Sequence, residues 1–553
     1  MCDRKGGGLC YDPGSWPPLP IPNMRFLSEA SGERHYASGA AARFKRLAIR
    51  SNDFTGRRRF AVTAALVLTL FLILTIVTAV TKAPWCDEGW FASPAYNLAF
   101  KGFMGTTVLD PGSGTPVLHT RTRVDGIDRY TYWVMPLSLI AQAGWFKLLG
   151  FGLLRMRALS MVWALLALFA WWIVFHQLSG KRYVALLAVA LMEVDYEFVW
   201  SAADGRMDMM CAALGATGLA AYLLLRERSL PWAMVAANAC IAASGLTHPN
   251  GILYLVALGC ILMMFDRRRI GWRHLALSGV PYLVALALWL PYVMKAPDLF
   301  RIQLLGNTAG RDTAFAAPIL SLEREAERYL HAFGFAPWSH GLAHSSILEL
   351  LAYLSGVAAC AFQPQLRHKP AARRAVILTS AICLFLFLFE GAKVSQYLVH
   401  VIPWFSFALA VAVMDWWVQR RMPRIIPVAI TGVVMFLAIV RLAVPALRDN
   451  YRYRYVPAAR FLEGRAAPTD LIMGSAELIF ALGTDRPVLD DIMLGTTTGK
   501  TARFIVMDPR YSDYLESIRA TAPADYERVA QRLREHYQKI YDEADWQIYR
   551  LVG

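Results

Sequence analysis

Charge is scarce in this chain. Of its 553 residues, 18% are Asp, Glu, Lys or Arg, against about 25% in a soluble domain. That deficit excludes a soluble globule as the simplest reading. Cysteine is present eight times but without a CxxC pair, and Cys211, Cys240, Cys260, Cys360 and Cys383 lie in apolar runs. Such spacing is neither a disulfide framework nor a zinc site. Cys86, beside Asp87, reads as packing. Walker A, Rossmann-glycine, HExxH and GxSxG patterns are all missing, so nothing points to nucleotide use. Residues 1–59, rich in Gly, Pro and Arg, have no apolar core of the kind a cleaved signal peptide needs. No repeat of 20–50 residues appears.

Apolar sequence is what the chain has instead: 56% of residues are hydrophobic, and the mean hydropathy is +0.37. The net charge of +16 comes without a nucleic-acid recognition motif. It fits a membrane protein whose Lys and Arg gather in cytoplasmic loops, and no nucleic-acid partner is expected. The run "FAVTAALVLTLFLILTIVTAV" follows "GRRRF", which predicts an uncleaved anchor with a cytoplasmic N-terminus. Basic clusters at 57–59, 181–182, 226–228, 267–273, 367–374 and 420–424 serve as further pins. Spans are expected at 60–80, 157–178, 183–201, 209–225, 231–247, 251–265, 275–294, 346–362, 375–391, 398–418 and 425–444, about eleven crossings.

Parity turns on residues 132–150. Counted as a span, they would move every later basic cluster outside. With Pro136 and Lys147, they read as an amphipathic helix lying at the outer interface or re-entering the membrane. The expected organisation is a basic, disordered cytoplasmic tail (1–59), a transmembrane domain (60–445) with an outer loop at 81–156, and an α/β domain (446–553) on the non-cytoplasmic side. The fold class is therefore a polytopic α-helical membrane protein with a small C-terminal soluble α/β domain, set in the cytoplasmic (inner) membrane.

Several polar groups converge on that outer face. Asp87 and Glu88 follow the first span by a few residues and precede the aromatic "WFASPAYNLAF". They are either a solvated cap or half of an active site. "SAADGRMDMM" carries Asp204, Arg206 and Asp208. Asp208 could cap the next helix, act as a second acid, or do both. Lys393 and Tyr397 open a later span. The lysine is placed to snorkel or to bind a phosphate as a point charge. His248, in "GLTHPNG", reads first as a turn residue. Glu193, Asp195 and Glu197 fall within a span, where acids face a bundle interior or a wet cavity. Glu193 and Glu197 have the spacing of one helix face.

Taken in order, "WCDE" after the first span, "MPLSLIAQAGWFKLLGFGLLRMRALS", "GRMD" before a span, "APDLF" and "YLVHVIPWF" resemble the GT-C membrane glycosyltransferases, the superfamily of protein O-mannosyltransferases and bacterial aminoarabinose (lipid A) transferases. The likeness covers roughly residues 60–420. It implies a GT-C fold, a polyprenyl-phosphate-sugar donor taken from the surrounding lipid, and a glycolipid or lipopolysaccharide, polysaccharide or protein acceptor. It also implies an inverting displacement with Asp87 as general base, Asp208 as second acid and Glu88 beside them. Lys393, Arg206, Arg129 and Tyr397 would meet the donor phosphate, with His248, Glu197, Asp204 and Asp128 around the cavity. No cofactor is implied. A divalent metal is compatible with such chemistry, but the sequence does not support a metal site: "IDRYTYW" and "LLGNTAGR" stand where relatives carry Glu-Lys-Pro and a His. The competing class is a transporter relaying ions through Glu193, Asp195 and Glu197.

Sidedness is directly testable. Alkaline phosphatase fused within 295–345 or after residue 449 should be active. The same enzyme fused at 181 or 267 should be inactive, and the reverse pattern would invert the topology.

Overall fold

The computed structural model describes residues 34–112, 115–117, 120–122, 124–308, 313–335 and 341–552. The expectations for residues 1–33, and for 309–312 at the end of "LLGNTAGR", lie outside the described residues. Two compact units are present, residues 1–64 and 65–553, and the site discussed below lies in the second.

Helices come first in the chain order: α1 (Arg34–Thr81), α2 (Cys86–Phe100), α3 (Pro136–Leu149), α4 (Leu153–Ser179), α5 (Arg182–Val194), α6 (Tyr196–Ala202), α7 (Asp208–Leu225), α8 (Leu230–Thr247), α9 (Ile252–Phe265), α10 (Trp272–Val293), α11 (Pro297–Thr308) and α12 (Pro318–Leu330). After these come α13 (Ile347–Phe362), α14 (Pro370–Phe389), α15 (Ile402–Gln419), α16 (Ile425–Arg448) and α17 (Val456–Glu463). α1 begins at Arg34, so part of the tail expected to be disordered is helical. Its Ala-rich stretch there favours helix.

Among the described residues, nine helices are long and apolar enough to cross a membrane. The chain is a multi-pass membrane protein. Two further expected crossings take shorter forms. α9 has 14 residues, below the roughly 20 that span a bilayer. The 183–201 segment is not one helix but two. It breaks at Asp195, whose backbone is extended (φ −60°, ψ 135°) and whose carboxylate accepts from the Glu197 and Phe198 amides at 2.9 and 3.3 Å. The acid caps the new helix. Glu193 and Glu197 therefore sit on different helices, not on one face.

The 132–150 segment forms α3, 14 residues long and led by a proline at its first turn. Leu139, Ala143 and Phe146 are buried, while Ile140, Leu148 and Leu149 are exposed. This one-sided helix is too short to span and suits an interface.

The C-terminal region is a five-stranded mixed sheet. Its strands are numbered after a small antiparallel pair, β1 (Thr115–Val117) and β2 (Thr120–Thr122). β3 (Ile472–Met473), β4 (Val488–Leu489), β5 (Phe504–Met507), β6 (Tyr537–Glu543) and β7 (Trp546–Leu551) are arranged in the order β4-β3-β5-β7-β6. β3 pairs in parallel with β4 and β5, and β7 pairs antiparallel with β5 and β6. Side chains alternate between faces along a strand. Ile505 and Met507 of β5 join Tyr511, Leu515 and Ile518 in one core. Phe504 and Val506 turn the other way, into a core shared with Trp90, Phe91, Ala92 and Ala95 of α2. An all-apolar β5 is what a strand buried on both faces requires. One face of the sheet is thus packed on α2, the helix that carries Asp87.

Candidate active site

Three connections fix the first turn of α2. Glu88 is fully buried. Its Oε1 accepts from Arg157 Nε at 2.8 Å and from the Gly205 amide at 3.0 Å. Its Oε2 accepts from Arg157 Nη2 at 2.7 Å and from the Trp85 amide at 3.3 Å. Arg157, also fully buried, uses its remaining donors on Ala79, Lys82 and Ala83 carbonyls at 2.6, 2.8 and 3.2 Å. Ala79 lies in the last turn of α1 and Lys82 and Ala83 follow it directly, at a helix end where backbone acceptors have no helical partner. One guanidinium therefore joins α1, α4 and α2, and its planar fork matches the carboxylate bidentately. Burial pushes the Glu88 carboxyl up, but the Arg157 and Lys82 charges outweigh it and hold Glu88 below the usual carboxylate range. Glu88, grouped by sequence with the catalytic acids, is enclosed in this pair and serves as an anchor.

Beside it, Lys82 donates to Asp204 at 2.7 Å and lies 4.3 Å over the Trp200 ring. Burial lowers the Lys82 pKa, with Asp204 opposing. Burial likewise raises Asp204 to about 6, against the pull of Lys82. The Gly205 peptide is held on both sides, since its carbonyl accepts from Gln142 of α3 at 2.8 Å.

That pinned turn presents Arg206. Its Nε donates to Asp208 at 2.8 Å and its Nη1 pairs with Asp87. Burial works against the Arg206 charge, but Asp208 together with Tyr397 and the Asp208 hydrogen bond outweighs it, raising its pKa. Asp208 is the first residue of α7, not its cap; Met207 holds the cap position. The acid is turned instead to Arg206. The side chains of Asp87 and Arg206 retain 14% and 12% exposure, so the pair is reachable by a ligand. Among the described residues, Arg206 Nη2 makes no hydrogen bond.

His248 does form the turn read from its Pro-Asn-Gly context: it ends α8, and its Nδ1 accepts from the Asn250 amide at 3.1 Å. Its ring also lies 5.0 Å from that of Tyr397. His248 and His400 are both within electrostatic reach of Asp208, and Tyr397 is within reach of Arg206. His400 is held by Tyr254 at 2.9 Å. Asp87, Arg206, Asp208, His248 and Tyr397 are therefore brought together.

Other candidates are placed differently. Lys393 is in a left-handed backbone conformation (φ 54°) and pairs with Glu325 of α12 at 3.1 Å, next to Arg328 and Glu390. Burial lowers its pKa, and Glu325 opposes the shift. Arg129 is 80% exposed, with Asp128 3.9 Å away, and neither joins the Arg206 set by hydrogen bond or ion pair among the described residues. Glu197 sits in the first turn of α6, near Arg441. Glu193 is buried, and neither of its carboxylate oxygens has a hydrogen-bond partner among the described residues. Among those residues no group of three His, Cys, Asp or Glu is arranged to hold a metal ion.

Sequence reasoning missed Arg157, Lys82, Gln142 and His400. Arg157 did carry a signal: an arginine at the start of a predicted span demands a buried acid.

The helical membrane bundle, with its C-terminal sheet packed on the helix that carries Asp87, has the GT-C fold. In solved structures the chain is similar to ArnT from Cupriavidus metallidurans bound to undecaprenyl phosphate, with TM-score 0.57 and 16% identity over 88% of this chain and 98% of that one. It is also similar to the archaeal oligosaccharyltransferase AglB from Archaeoglobus fulgidus in complex with an inhibitory peptide and a dolichol-phosphate, with TM-score 0.52 and 13% identity over 88% of this chain and 74% of that one. No protein-family model matches the sequence, and neither does any curated protein.

Removing one partner of a buried ion pair costs about 3–5 kcal/mol. Glu88→Ala and Arg157→Ala should each lower the melting temperature of the detergent-solubilised protein markedly. Arg534→Ala, which breaks an exposed pair with Glu527, should leave it unchanged. Equal melting temperatures for all three would remove Glu88–Arg157 from its anchoring role.

Proposed function

We propose that this protein is a glycosyltransferase. It moves a monosaccharide from a polyprenyl-phosphate donor to a hydroxyl of a glycolipid or lipopolysaccharide, a polysaccharide or a protein, on the outer face of the cytoplasmic membrane. The observation that carries this reading is Arg206 bridging Asp87 and Asp208 in a ligand-accessible position. The likeness of fold to ArnT and AglB supports it, because those structures hold undecaprenyl phosphate and dolichol-phosphate.

The chemistry follows from charge. Asp87 accepts the proton of the acceptor hydroxyl as that oxygen bonds to the anomeric carbon. The bond from that carbon to the donor phosphate breaks on the opposite face, so configuration inverts. Pairing with Arg206 orients Asp87, and orientation supplies much of a general base's effect. The departing lipid phosphate gains negative charge, which a preorganised cation stabilises. Arg206 Nη2 is the donor available for it, and Tyr397 stands beside. Asp208 balances Arg206 and fixes its plane, and His248 stands within electrostatic reach of Asp208. Lys393 acts at one remove, tying outer-loop helix α12 to the bundle through Glu325. The chemistry assigned to these residues needs no metal ion. A relay through Glu193, Asp195 and Glu197 is less well supported, because Asp195 is engaged in capping α6.

The test is transfer of radiolabelled sugar from a panel of undecaprenyl-phosphate hexoses and pentoses, with the full chain in lipid nanodiscs and membrane extract as acceptor. Asp87→Asn should reduce turnover by about 10²–10⁴-fold, the usual share of a general base. Asp87→Asn turnover within about twofold of wild type would refute the assignment.

A further inference from the structure

Asp490 lies in the C-terminal sheet region, far from Asp87 in sequence, yet it touches the same helix turn. Its carboxylate takes four donors. Oδ2 accepts from Trp90 Nε1 at 2.9 Å and from the Ala476 amide at 3.1 Å. Oδ1 accepts from Arg510 Nη2 at 2.7 Å and from Tyr511 Oη at 2.9 Å. Its amide donates to the Val108 carbonyl at 2.6 Å. Asp490 is 2% exposed and Trp90 5%. A buried carboxylate with all its acceptor sites filled is rigid, and any lost partner leaves a costly unpaired group.

Trp90 stands three residues after Asp87, one turn along α2, where side chains share a face. Between them, Gly89 lets the C-terminal domain approach the helix backbone. A Cβ there would lie 2.4–2.6 Å from the Ala476 carbonyl and the Glu477 amide, closer than atoms can pack. Arg510 also stacks 5.4 Å from the Trp90 ring. The turn bearing Asp87 is thus fastened from two directions: to the membrane bundle through Glu88–Arg157, and to the sheet domain through Trp90–Asp490.

We infer that the C-terminal domain is a working part of the active site: Asp490, acting through Trp90, is a positioning residue that sets the orientation of Asp87 towards Arg206. This rests on the role proposed for Asp87. The domain neither merely roofs the cavity nor only selects acceptors. Without the Trp90–Asp490 bond, the first turn of α2 keeps its bundle anchor and loses its second one. The result is a folded protein with a misaligned base. Misplacement by about 1 Å is worth on the order of 100-fold in rate.

The experiment uses the full chain in nanodiscs, with Trp90→Phe as the mild variant and Asp490→Ala as the severe one. Cys86, buried on the same turn, reports the clamp independently of any substrate. Its alkylation by N-ethylmaleimide, mapped by mass spectrometry, should accelerate by about tenfold or more in both variants, the scale of one lost hydrogen bond. Cys211, buried on α7 within the bundle, should stay as protected as in wild type. In the transfer assay, kcat should fall by about tenfold or more while KM for the donor stays within about twofold. Unchanged Cys86 protection in both variants overturns the inference, and so does acceleration at Cys211 as well as Cys86, which would mark a general fold defect. Loss of activity in Asp87→Asn combined with wild-type kcat in Trp90→Phe and Asp490→Ala overturns it while leaving the proposed function standing. Wild-type transfer by Asp87→Asn sinks the function, and the Cys86 result then still decides whether the clamp exists.

Discussion

The buried pair between Glu88 and Arg157 is the constraint on which the rest depends. An arginine at the head of a membrane helix must be neutralised, and this one is answered by an acid from the helix that follows α1. The same guanidinium collects the free carbonyls at the end of α1. The pair therefore does three jobs with one set of bonds: it ends the first span, orients the second helix and holds the Gly205 peptide. Asp87 and Arg206 each stand one residue from a pinned atom. Their meeting follows from backbone geometry more than from their own attraction.

A second consequence concerns the soluble part. β5 has no polar face because both of its faces are covered, one by its own helices and one by α2. The sheet could not be detached without exposing Phe504, Val506, Trp90 and Phe91 together, a large apolar patch of the kind that soluble surfaces avoid. Residues 65–553 accordingly form one compact unit. The composition change near 446 marks the expected start of the C-terminal α/β domain, whose sheet has a core of its own as well as one shared with α2.

Much of this was legible in the residues. Hydrophobic run length located the spans, and the shortness and Pro136 of the 132–150 segment identified α3. Asp87, Arg206 and Asp208 could be grouped because each flanks a span on one face. "RFIVMDP" and "WQIYRLV" have strand-like patterns, and β5 and β7 lie there. The break at Asp195 was hidden because its flanks are apolar enough to read as continuous helix; only a side chain capping its own backbone reveals it. Glu88 was legible as an acid but not as an anchor, since its partner lies 69 positions away. Trp90 and Asp490 are 400 apart, and no local pattern announces such a contact. Arg129, drawn in by charge and neighbourhood, is solvent-exposed: position near a motif does not fix direction.

The account stands on the first turn of α2 facing the start of α7 across Arg206. A thiol pair tests this most directly. In a cysteine-free background, Asp87→Cys combined with Asp208→Cys should be joined within one chain by a short bifunctional thiol reagent added from the non-cytoplasmic side. Moving the first cysteine to Tyr96, farther along the same helix, should abolish the link. Two thiols that label separately, or from opposite sides of the membrane, but never join would contradict the account.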